Sequence, residues 1–225
     1  MIKANILRAK DRAALACSRA RRDPSGIKIV AVSKGRPVKD IEDALACGLT
    51  EFGENRVQEA LLKFNQLTTG KQANRQAIKW HMIGHLQMNK VRDAVKIFDL
   101  IHSVDSLRLA YEVDSQAAKI GKVQDIFIEV KTSPEANKSG FLPGEIFEAI
   151  GKISGLGNIS LKGLMTIAPL SGAPEDARPY FSLLRSLRDK FDKSFSLSMG
   201  MSDDFEIAIE EGANMVRIGR AIFDS

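Results

Sequence analysis

The segment Ile27-Lys28-Ile29-Val30-Ala31-Val32-Ser33-Lys34 is an apolar, β-branched run that ends on a lysine. Gly35 and Pro37 follow it directly and are expected to stop a strand at that point. The run therefore predicts a buried β-strand with an amine at its carboxyl end. Burial lowers the pKa of a lysine, and a free amine is the nucleophile that forms Schiff bases with carbonyl compounds. Lys34 is thus a candidate for chemistry, although a lysine after a strand is more commonly a solvated loop residue.

The alternation of a short apolar run and a helical stretch repeats along the chain. An opening helix over residues 2–20 comes first, with its apolar positions on one face. Eight strands are predicted at about residues 28–33, 50–53, 78–83, 98–104, 125–131, 160–167, 195–199 and 214–218. Helical stretches lie between them, for example over residues 38–47, 57–66, 107–120 and 204–211. Only a short segment, residues 220–225, follows the last strand.

Repeated strand–helix units give parallel strands with right-handed crossovers, and eight of them predict a closed (β/α)8 TIM barrel with an extra N-terminal helix. Several strands are near-continuous apolar runs, which is typical of a sheet covered on both faces. An open, doubly wound sheet is the alternative, but no glycine-rich dinucleotide turn follows the first strand. Without a linker or a low-complexity stretch, residues 1–225 are interpreted as a single domain with long loops at 132–143 and 169–174.

The composition favours a soluble protein that binds neither nucleic acid nor a membrane. Of its 225 residues 44% are hydrophobic and 27% are charged, with a formal net charge of +5. Arg19, Arg21 and Arg22 form the only tight basic cluster, interpreted as a solvated helix end because no aromatic residues interleave with it. No apolar run approaches the roughly 18 residues of a membrane span. Cys17 and Cys47 lie beside alanines and indicate free thiols, so we expect a reducing, cytoplasmic location.

Polar residues and glycines gather where the predicted strands end, which is where barrels of this class carry their working residues. Ser202 or Asp203 can cap the helix after the seventh strand, leaving backbone N–H groups facing outward. Gly219 allows a ligand to approach the backbone, and the amides of Gly219 and Arg220 open the last helical turn. Each feature alone is an ordinary cap or turn. Side by side in a barrel they indicate an anion site for a phosphate.

Arg217 lies within the eighth predicted strand, where its side chain must face either the barrel interior or the helices. A buried, unpaired guanidinium is costly, so the group needs an acceptor. Two acceptors remain open at this point: an inward carboxylate such as Glu54, or a heteroatom of a ligand.

The three histidines, His81, His85 and His102, lie near the ends of the third and fourth predicted strands. Their spacing matches no metal-binding motif, and few carboxylates are placed to complete a site. We therefore predict hydrogen-bonding or loop roles for them and no metal centre.

Six segments at the predicted strand ends resemble the pyridoxal phosphate homeostasis protein family, the single-domain relatives of the alanine racemase N-terminal barrel. They are Ala31-Val32-Ser33-Lys34, Phe52-Gly53-Glu54-Asn55, Ile83-Gly84-His85-Leu86-Gln87-Met88-Asn89-Lys90, Gly163-Leu164-Met165, Leu197-Ser198-Met199-Gly200-Met201-Ser202 and Val216-Arg217-Ile218-Gly219. Each is short, but six in order are highly specific, and the resemblance runs from the opening helix to Phe223.

The resemblance implies a protein that binds pyridoxal 5'-phosphate (PLP) and takes part in its intracellular homeostasis by buffering and delivering it. It implies a Schiff base between PLP and Lys34, and Arg217 facing the pyridine nitrogen. The other implied contacts are the phosphate with Ser202, Gly219 and Arg220, and the cofactor ring with Asn55. Two departures from the family pattern are Gly35-Arg36-Pro37, where threonine, lysine and proline are usual, and Asp224-Ser225, where a glycine usually follows the phenylalanine.

Two classes of function are compatible with such a cofactor site. Racemisation needs a general base on each face of the substrate, and Lys34 serves only one. In the racemases a tyrosine contributed through a second domain and a dimer partner serves the other face, whereas Tyr111 and Tyr180 fall in predicted helices. An arginine at the pyridine nitrogen also disfavours protonation there.

We therefore hypothesise a non-catalytic, monomeric PLP carrier whose partners include the apo-forms of PLP enzymes. A weak PLP-dependent amino-acid racemase is the alternative. A barrel enzyme that acts on phosphate esters without this cofactor is a third reading.

Overall fold

The helices and strands lie within a few residues of their predicted positions. A computed structural model describes residues 1–69, 78–135, 139–170 and 172–224. Parts of the two predicted loops, residues 136–138 and 171, and the final Ser225 lie outside the described residues. The strands are β1 (Lys28–Val32), β2 (Glu51–Glu54), β3 (Lys79–Met82), β4 (Leu100–Val104), β5 (Gln124–Glu129), β6 (Ile159–Met165), β7 (Ser196–Ser198) and β8 (Met215–Ile218). The α-helices are α1 (Ile2–Arg19), α2 (Val38–Ala46), α3 (Val57–Thr69), α4 (Val91–Ile97), α5 (Leu107–Ala118), α6 (Ile146–Ser154), α7 (Arg178–Phe191), α8 (Phe205–Glu210) and α9 (Arg220–Phe223).

The first and last strands pair with each other, which closes the sheet. Each strand is parallel to its neighbours in the order β1 to β8, and β8 returns to β1 with Lys28 opposite Met215 and Ala31 opposite Ile218. The predicted (β/α)8 barrel with an extra N-terminal helix is confirmed, and the open-sheet alternative is wrong. Because all strands run in one direction, their carboxyl ends form one mouth of the barrel, called here the carboxyl mouth. Their amino ends form the opposite one, the amino mouth.

Helix α1 packs across the outside of the barrel and binds the C-terminal end of the chain. Its buried face consists of Asn5, Ile6, Ala9, Ala13, Ala16 and Cys17. The amide Nδ2 of Asn5 donates to the carbonyl oxygens of Ile222 and Asp224, both at 3.0 Å. The basic cluster interpreted as solvated also binds α8: Arg19 Nε lies 2.6 Å from Glu210, and a guanidinium nitrogen of Arg22 donates to the Ile209 carbonyl at 2.5 Å. The cluster thus lies at an exposed helix end, as interpreted from the sequence, and also pairs with α8.

The barrel has an apolar outer layer and a partly polar interior. Side chains that alternate outward from the strands join the helices in one large core. The interior holds a small separate cluster of Leu100, Phe127, Met165 and Met215. The buried polar side chains His81, His102, Ser198 and Arg217 lie on strands of the same barrel. Polar groups inside a barrel must be paired, and these four hydrogen-bond with one another and with neighbouring strand ends.

The thiols of Cys17 and Cys47 are both free, as predicted. Within the described ranges no helix has both the length and the apolar character needed to cross a bilayer. Over the same ranges, no three His, Cys, Asp or Glu side chains group closely enough to hold a metal ion.

Gly163 in β6 provides a test of the barrel packing. A Cβ at this position would lie 1.9 Å from the Ser196 carbonyl oxygen of β7, whereas a Cβ on Gly151 in α6 would meet nothing within 4 Å. We expect Gly163→Ala to destabilise the protein by at least about 3 kcal/mol, because backbone strands must separate. Gly151→Ala is the matched control and should stabilise by about 0.5–1 kcal/mol through helix propensity. Urea unfolding measures both, and equal midpoints would contradict the described β6–β7 packing.

Candidate functional site

The backbone around Lys34 is held by a buried group of ion pairs, the Lys63 cluster, formed by Ser33, Glu54, Glu59 and Lys63. The Nζ of Lys63 donates to the Ser33 carbonyl at 2.6 Å and to Glu54 Oε1 at 2.7 Å. The Ser33 hydroxyl also donates to Glu54 Oε1, at 2.6 Å. Burial raises the pKa of Glu54, and the hydrogen bonds from Lys63 and Ser33 oppose that rise. Removing either partner would leave a buried charge unpaired, so the cluster fixes this part of the loop.

The same cluster reaches the other side of Lys34 through Glu59. Its Oε1 accepts from Lys63 Nζ at 2.6 Å and from the Gly35 N–H at 2.5 Å. The carbonyl before Lys34 and the amide after it are therefore both anchored to α3. The Lys34 side chain itself is exposed, so the expectation of a desolvated amine is wrong. The fold fixes the backbone of this lysine and leaves its amine accessible.

Arg217 is buried in the barrel interior and is hydrogen-bonded to two neighbouring strand ends. One terminal nitrogen donates to Ser198 Oγ at 2.6 Å, and the other donates to the Thr166 carbonyl at 2.8 Å. The Glu54 partner considered from the sequence is wrong, because alternation along β2 turns Glu54 towards α3 and Lys63. Burial lowers the pKa of Arg217 to about 10, opposed by the charges of Asp204 and Glu129. The guanidinium stays charged at neutral pH and keeps donors for a further acceptor.

The loops after β7 and β8 meet at the carboxyl mouth. The Ala221 N–H donates to Ser202 Oγ at 3.3 Å, and the Arg217 N–H donates to the Gly200 carbonyl at 2.9 Å. The predicted helix cap at Ser202 or Asp203 is wrong. The capping position of α8 is Asp204, and its carboxylate accepts from the Met201 N–H at 2.6 Å instead of capping the helix.

Four backbone amides at these loops are free for a ligand. In the described part of the chain, no hydrogen bond uses the N–H groups of Ser202, Asp203, Gly219 or Arg220. A Cβ on Gly219 would lie 3.3 Å from the Val32 Cβ, so this backbone packs closely on the end of β1. The Arg220 side chain is exposed and pairs with the Asp203 carboxylate. Arg220 therefore offers its amide here, while its guanidinium neutralises a neighbouring acid.

Strand pairing brings the residues predicted to bind the cofactor to one side of the carboxyl mouth. Since β1 lies between β8 and β2, the residues that follow these strands are neighbours at the carboxyl mouth. Asn55 is half-buried directly after β2, whose Gly53 pairs with Val32 of β1. Lys34, Asn55, Arg217, Gly219, Arg220 and Ser202 thus belong to adjoining strand ends.

The two departures from the family pattern contact each other. The Arg36 guanidinium pairs with the Asp224 carboxylate and donates to the Phe223 carbonyl at 3.3 Å. The guanidinium carbon of Arg36 also lies 5.7 Å from the centre of the Phe223 ring. The Arg36 side chain on the Lys34 loop therefore binds the end of α9. This contact joins the two segments on either side of the site.

Glu129 borders a cavity of about 160 Å³ at the same mouth. The cavity is lined by Ile83, Gly84, His85, Glu129, Val130, Lys131, Ser139 and Ile167. Burial, together with the nearby charge of Asp105, raises the pKa of Glu129 to about 7, and Arg217 opposes the rise. Asp105 in turn lies 3.1 Å from His85 Nδ1. One carboxyl group beside the site therefore titrates near neutral pH.

Comparison with known proteins identifies the family. Residues 8–225 match the family described as alanine racemase, N-terminal domain. A pyridoxal phosphate homeostasis protein from Aquifex aeolicus is 43% identical over 223 residues, covering 97% of this chain and 95% of the relative. One from Escherichia coli K12 is 36% identical over 223 residues, covering 97% and 94%. The chain belongs to the pyridoxal phosphate homeostasis protein family.

Solved structures agree with this assignment. PipY of Synechococcus elongatus, a 37% identical protein solved without PLP, superposes with a TM-score of 0.82 over 95% of this chain and 99% of PipY. PipY with PLP bound gives a TM-score of 0.79 at 36% identity over the same shares of the two chains. Alanine racemase of Clostridium difficile 630 is 17% identical, with a TM-score of 0.72 over 95% of this chain and 56% of the racemase. That likeness shows a shared barrel fold alone.

Sequence reasoning missed the residues that hold the site of this family member in place. Lys63, Glu59 and Thr166 had no predicted role, and Ser198 was noted only within a motif. Helical spacing offered one signal, because Glu59 and Lys63 are four residues apart on α3. The hydrogen-bonding roles predicted for His81 and His102 are confirmed.

Glu129→Gln tests the electrostatics beside the site. A raised folded-state pKa means that the folded protein holds the proton more tightly, so the wild type loses stability as pH rises from the unfolded value to about 7. Glutamine cannot ionise, and we expect its stabilising effect to be about 2–3 kcal/mol larger at pH 8 than at pH 5. Urea unfolding of both proteins at the two pH values measures this difference. The same effect at both pH values would show that Glu129 is not perturbed.

Proposed function

We propose that this chain acts as one PLP-binding domain that buffers and delivers the cofactor. The observation that carries the proposal is the meeting, at one mouth of the barrel, of an accessible amine on a fixed backbone, a buried guanidinium and four free amides. These groups match the aldehyde, the pyridine nitrogen and the phosphate of PLP. Relatives named for pyridoxal phosphate homeostasis and a PipY structure with PLP bound support it.

Lys34 supplies the covalent link in this proposal. Its unprotonated amine adds to the aldehyde carbon, and a C=N bond forms as one water molecule leaves. Exposure of the side chain allows the reverse step, in which water restores the aldehyde and the free amine. The Lys63 cluster holds the Ser33 carbonyl and the Gly35 amide, so the backbone that carries the amine keeps one position through attachment and release. Reversible attachment is what a buffer requires.

Arg217 binds the pyridine nitrogen in this proposal. A guanidinium has donors and no acceptor, so it binds the nitrogen lone pair and disfavours a proton there. PLP bound in enzymes supplies an electron sink, which depends on protonation at that nitrogen. The arginine therefore favours holding the cofactor over activating it.

The remaining contacts orient the cofactor. The amides of Ser202, Asp203, Gly219 and Arg220 would donate to the phosphate, with the Ser202 hydroxyl beside them. Asn55, after β2, would lie beside the ring.

A carrier role is proposed over the racemase alternative because of where the tyrosines lie. Tyr111 is an exposed residue of α5, and Tyr180 is a half-buried residue of α7. Neither belongs to a loop of the carboxyl mouth, so neither supplies a base on the second face of a substrate. We propose a monomer that works in the cytoplasm and passes PLP to apo-enzymes.

Borohydride trapping tests the covalent link. Incubation with PLP should give the absorption band of a Schiff base, and reduction should fix the cofactor mass on the peptide that contains Lys34. Lys34→Ala should abolish the label. Lys39→Ala, which removes another exposed lysine in the first turn of α2, is the matched control and should retain it. A label on Lys90 or Lys63 in the wild type would contradict the assignment of Lys34 as the residue that binds PLP covalently.

Transfer without turnover is the second expectation. Because one amine reaches only one face of a substrate, alanine should racemise no faster than with free PLP at the same concentration. The loaded protein should nevertheless restore activity to an added PLP-dependent apo-enzyme, and the Lys34→Ala protein should have little cofactor to transfer. Chiral chromatography and the apo-enzyme assay measure the two outcomes. Racemisation that disappears in Lys34→Ala would make the chain an enzyme.

A further inference from the structure

A continuous line of hydrogen bonds, called here the interior relay, crosses the barrel from Arg217 to the opposite mouth. Arg217 binds Ser198 Oγ at 2.6 Å, and Ser198 Oγ lies 2.8 Å from His102 Nδ1. His102 Nε2 lies 2.8 Å from His81 Nδ1. His81 Nε2 lies 2.6 Å from Glu51 Oε2. The members of the relay come from β8, β7, β4, β3 and β2, so no single strand could form it.

The two ends of the interior relay give it one direction. Arginine can only donate hydrogen bonds, and an ionised carboxylate can only accept them. His81 therefore donates from Nε2 to Glu51, which leaves Nδ1 of the neutral ring as an acceptor for His102 Nε2–H. The Nδ1 of a neutral His102 then accepts from the Ser198 hydroxyl, whose oxygen accepts from Arg217. All donors point from the carboxyl mouth to the amino mouth, and both histidines are the Nε2–H tautomer.

The direction of these hydrogen bonds affects stability because the groups that form them are buried. His81, His102, Ser198 and Arg217 are all buried, so an unpaired nitrogen or hydroxyl in the relay would be costly. Burial also lowers the pKa of His102 well below its ordinary value, and the neighbouring charge of Arg217 adds to this effect. His102 therefore stays neutral and can only exchange one tautomer for the other.

The far end of the relay is open to solvent. Glu51 is half-buried in the wall of a cavity of about 510 Å³ at the amino mouth, which His81 also lines. Burial opposes ionisation of Glu51, but the hydrogen bond from His81 and the charges of Lys28 and Lys79 hold its pKa below the ordinary value. The charged side chains around this end are Lys28, Lys79, Asp99, Lys122, Asp125 and Lys162, and those at the Arg217 end are Glu129 and Asp204.

We propose that Ser198, His102 and His81 are positioning residues for Arg217, and that Glu51 at the amino mouth sets the direction of the hydrogen bonds that hold it. The proposal depends on the function proposed above in one respect only: its expected consequence is a change in how tightly the protein binds the cofactor. A proton that enters Glu51 from the amino mouth makes this carboxyl group a donor to His81 Nε2, so the proton of the neutral His81 ring must lie on Nδ1, which becomes a donor. His102 must then accept at Nε2 and donate from Nδ1 to Ser198, whose hydroxyl proton loses its acceptor. The packing around Arg217 thus responds to protonation at the far mouth.

Nitrogen NMR of the cofactor-free protein labelled on histidine tests the direction. The chain has 3 histidines, and the exposed His85 serves as an internal reference. At neutral pH we expect His102 as the Nε2–H tautomer, and on acidification it should change to Nδ1–H without becoming charged. Glu51→Gln removes the anionic acceptor, so both tautomers of His102 should be populated at neutral pH. Asp125→Asn changes another carboxylate of the same mouth, one paired with Lys162, and should leave His102 unchanged.

An Nδ1–H tautomer of His102 in the wild type at neutral pH would overturn the proposal. So would identical His102 signals in the wild type and Glu51→Gln. Glu51→Asp keeps the charge and should restore the wild-type tautomer in part.

The rate of cofactor release tests the positioning role. Ser198→Ala should release PLP about tenfold faster than the wild type, because Arg217 loses a hydrogen bond to a buried acceptor. Ser196→Ala, two residues earlier on β7 and at the amino mouth, is the matched control and should release at the wild-type rate. Glu51→Gln should change the pH dependence of the spectrum of bound PLP, and Asp125→Asn should not. Equal release rates for the two serine variants would overturn the positioning role.

The two proposals can fail separately. A wild-type protein that takes up no PLP would refute the proposed function. The histidine spectra, measured without cofactor, would still decide the direction of the relay.

Discussion

The pairing of β1 with β8 is the constraint on which the rest of the structure depends. These strands lie at opposite ends of the sequence, and their four paired positions close the sheet. Closure removes the two free edges that an open sheet would have. It also places the loop of Lys34 beside Gly219, where an added Cβ would lie only 3.3 Å from the Val32 Cβ. Asn5 of α1 reinforces the closure by binding carbonyls at the end of the chain.

Around this closure the chain buries charge on both sides of the barrel wall. Outside, Lys63 and Glu54 form a pair that fixes the loop of the candidate lysine. Inside, Arg217 donates to neutral groups and, among the residues that the structure describes, has no direct carboxylate partner. Each arrangement is stable only as a whole, because removing one partner leaves another buried and unpaired. The site is therefore rigid in its backbone and its guanidinium, while the amine of Lys34 is exposed.

That contrast connects the structure to the proposed role. An enzyme of this cofactor class gains from a protonated ring and from bases fixed on both faces of its substrate. In the proposed placement of the cofactor Arg217 would disfavour ring protonation, and the two tyrosines lie in α5 and α7, away from the loops of the mouth. An accessible amine on an anchored backbone suits attachment that can be reversed. The family assignment and these features support the same conclusion through independent observations.

The sequence alone determined the elements, their order and the strand ends that carry the candidate residues. These follow from local rules: side-chain periodicity, strand-breaking glycine and proline, and short motifs of fixed spacing. Only the tertiary structure decided which way each polar side chain turns and what it meets. Glu54 turned to Lys63 and not to Arg217, and His102 met Ser198 across 96 residues of sequence. Such contacts depend on strand register and barrel closure, and a shift of one residue would send every side chain of a strand to the other face.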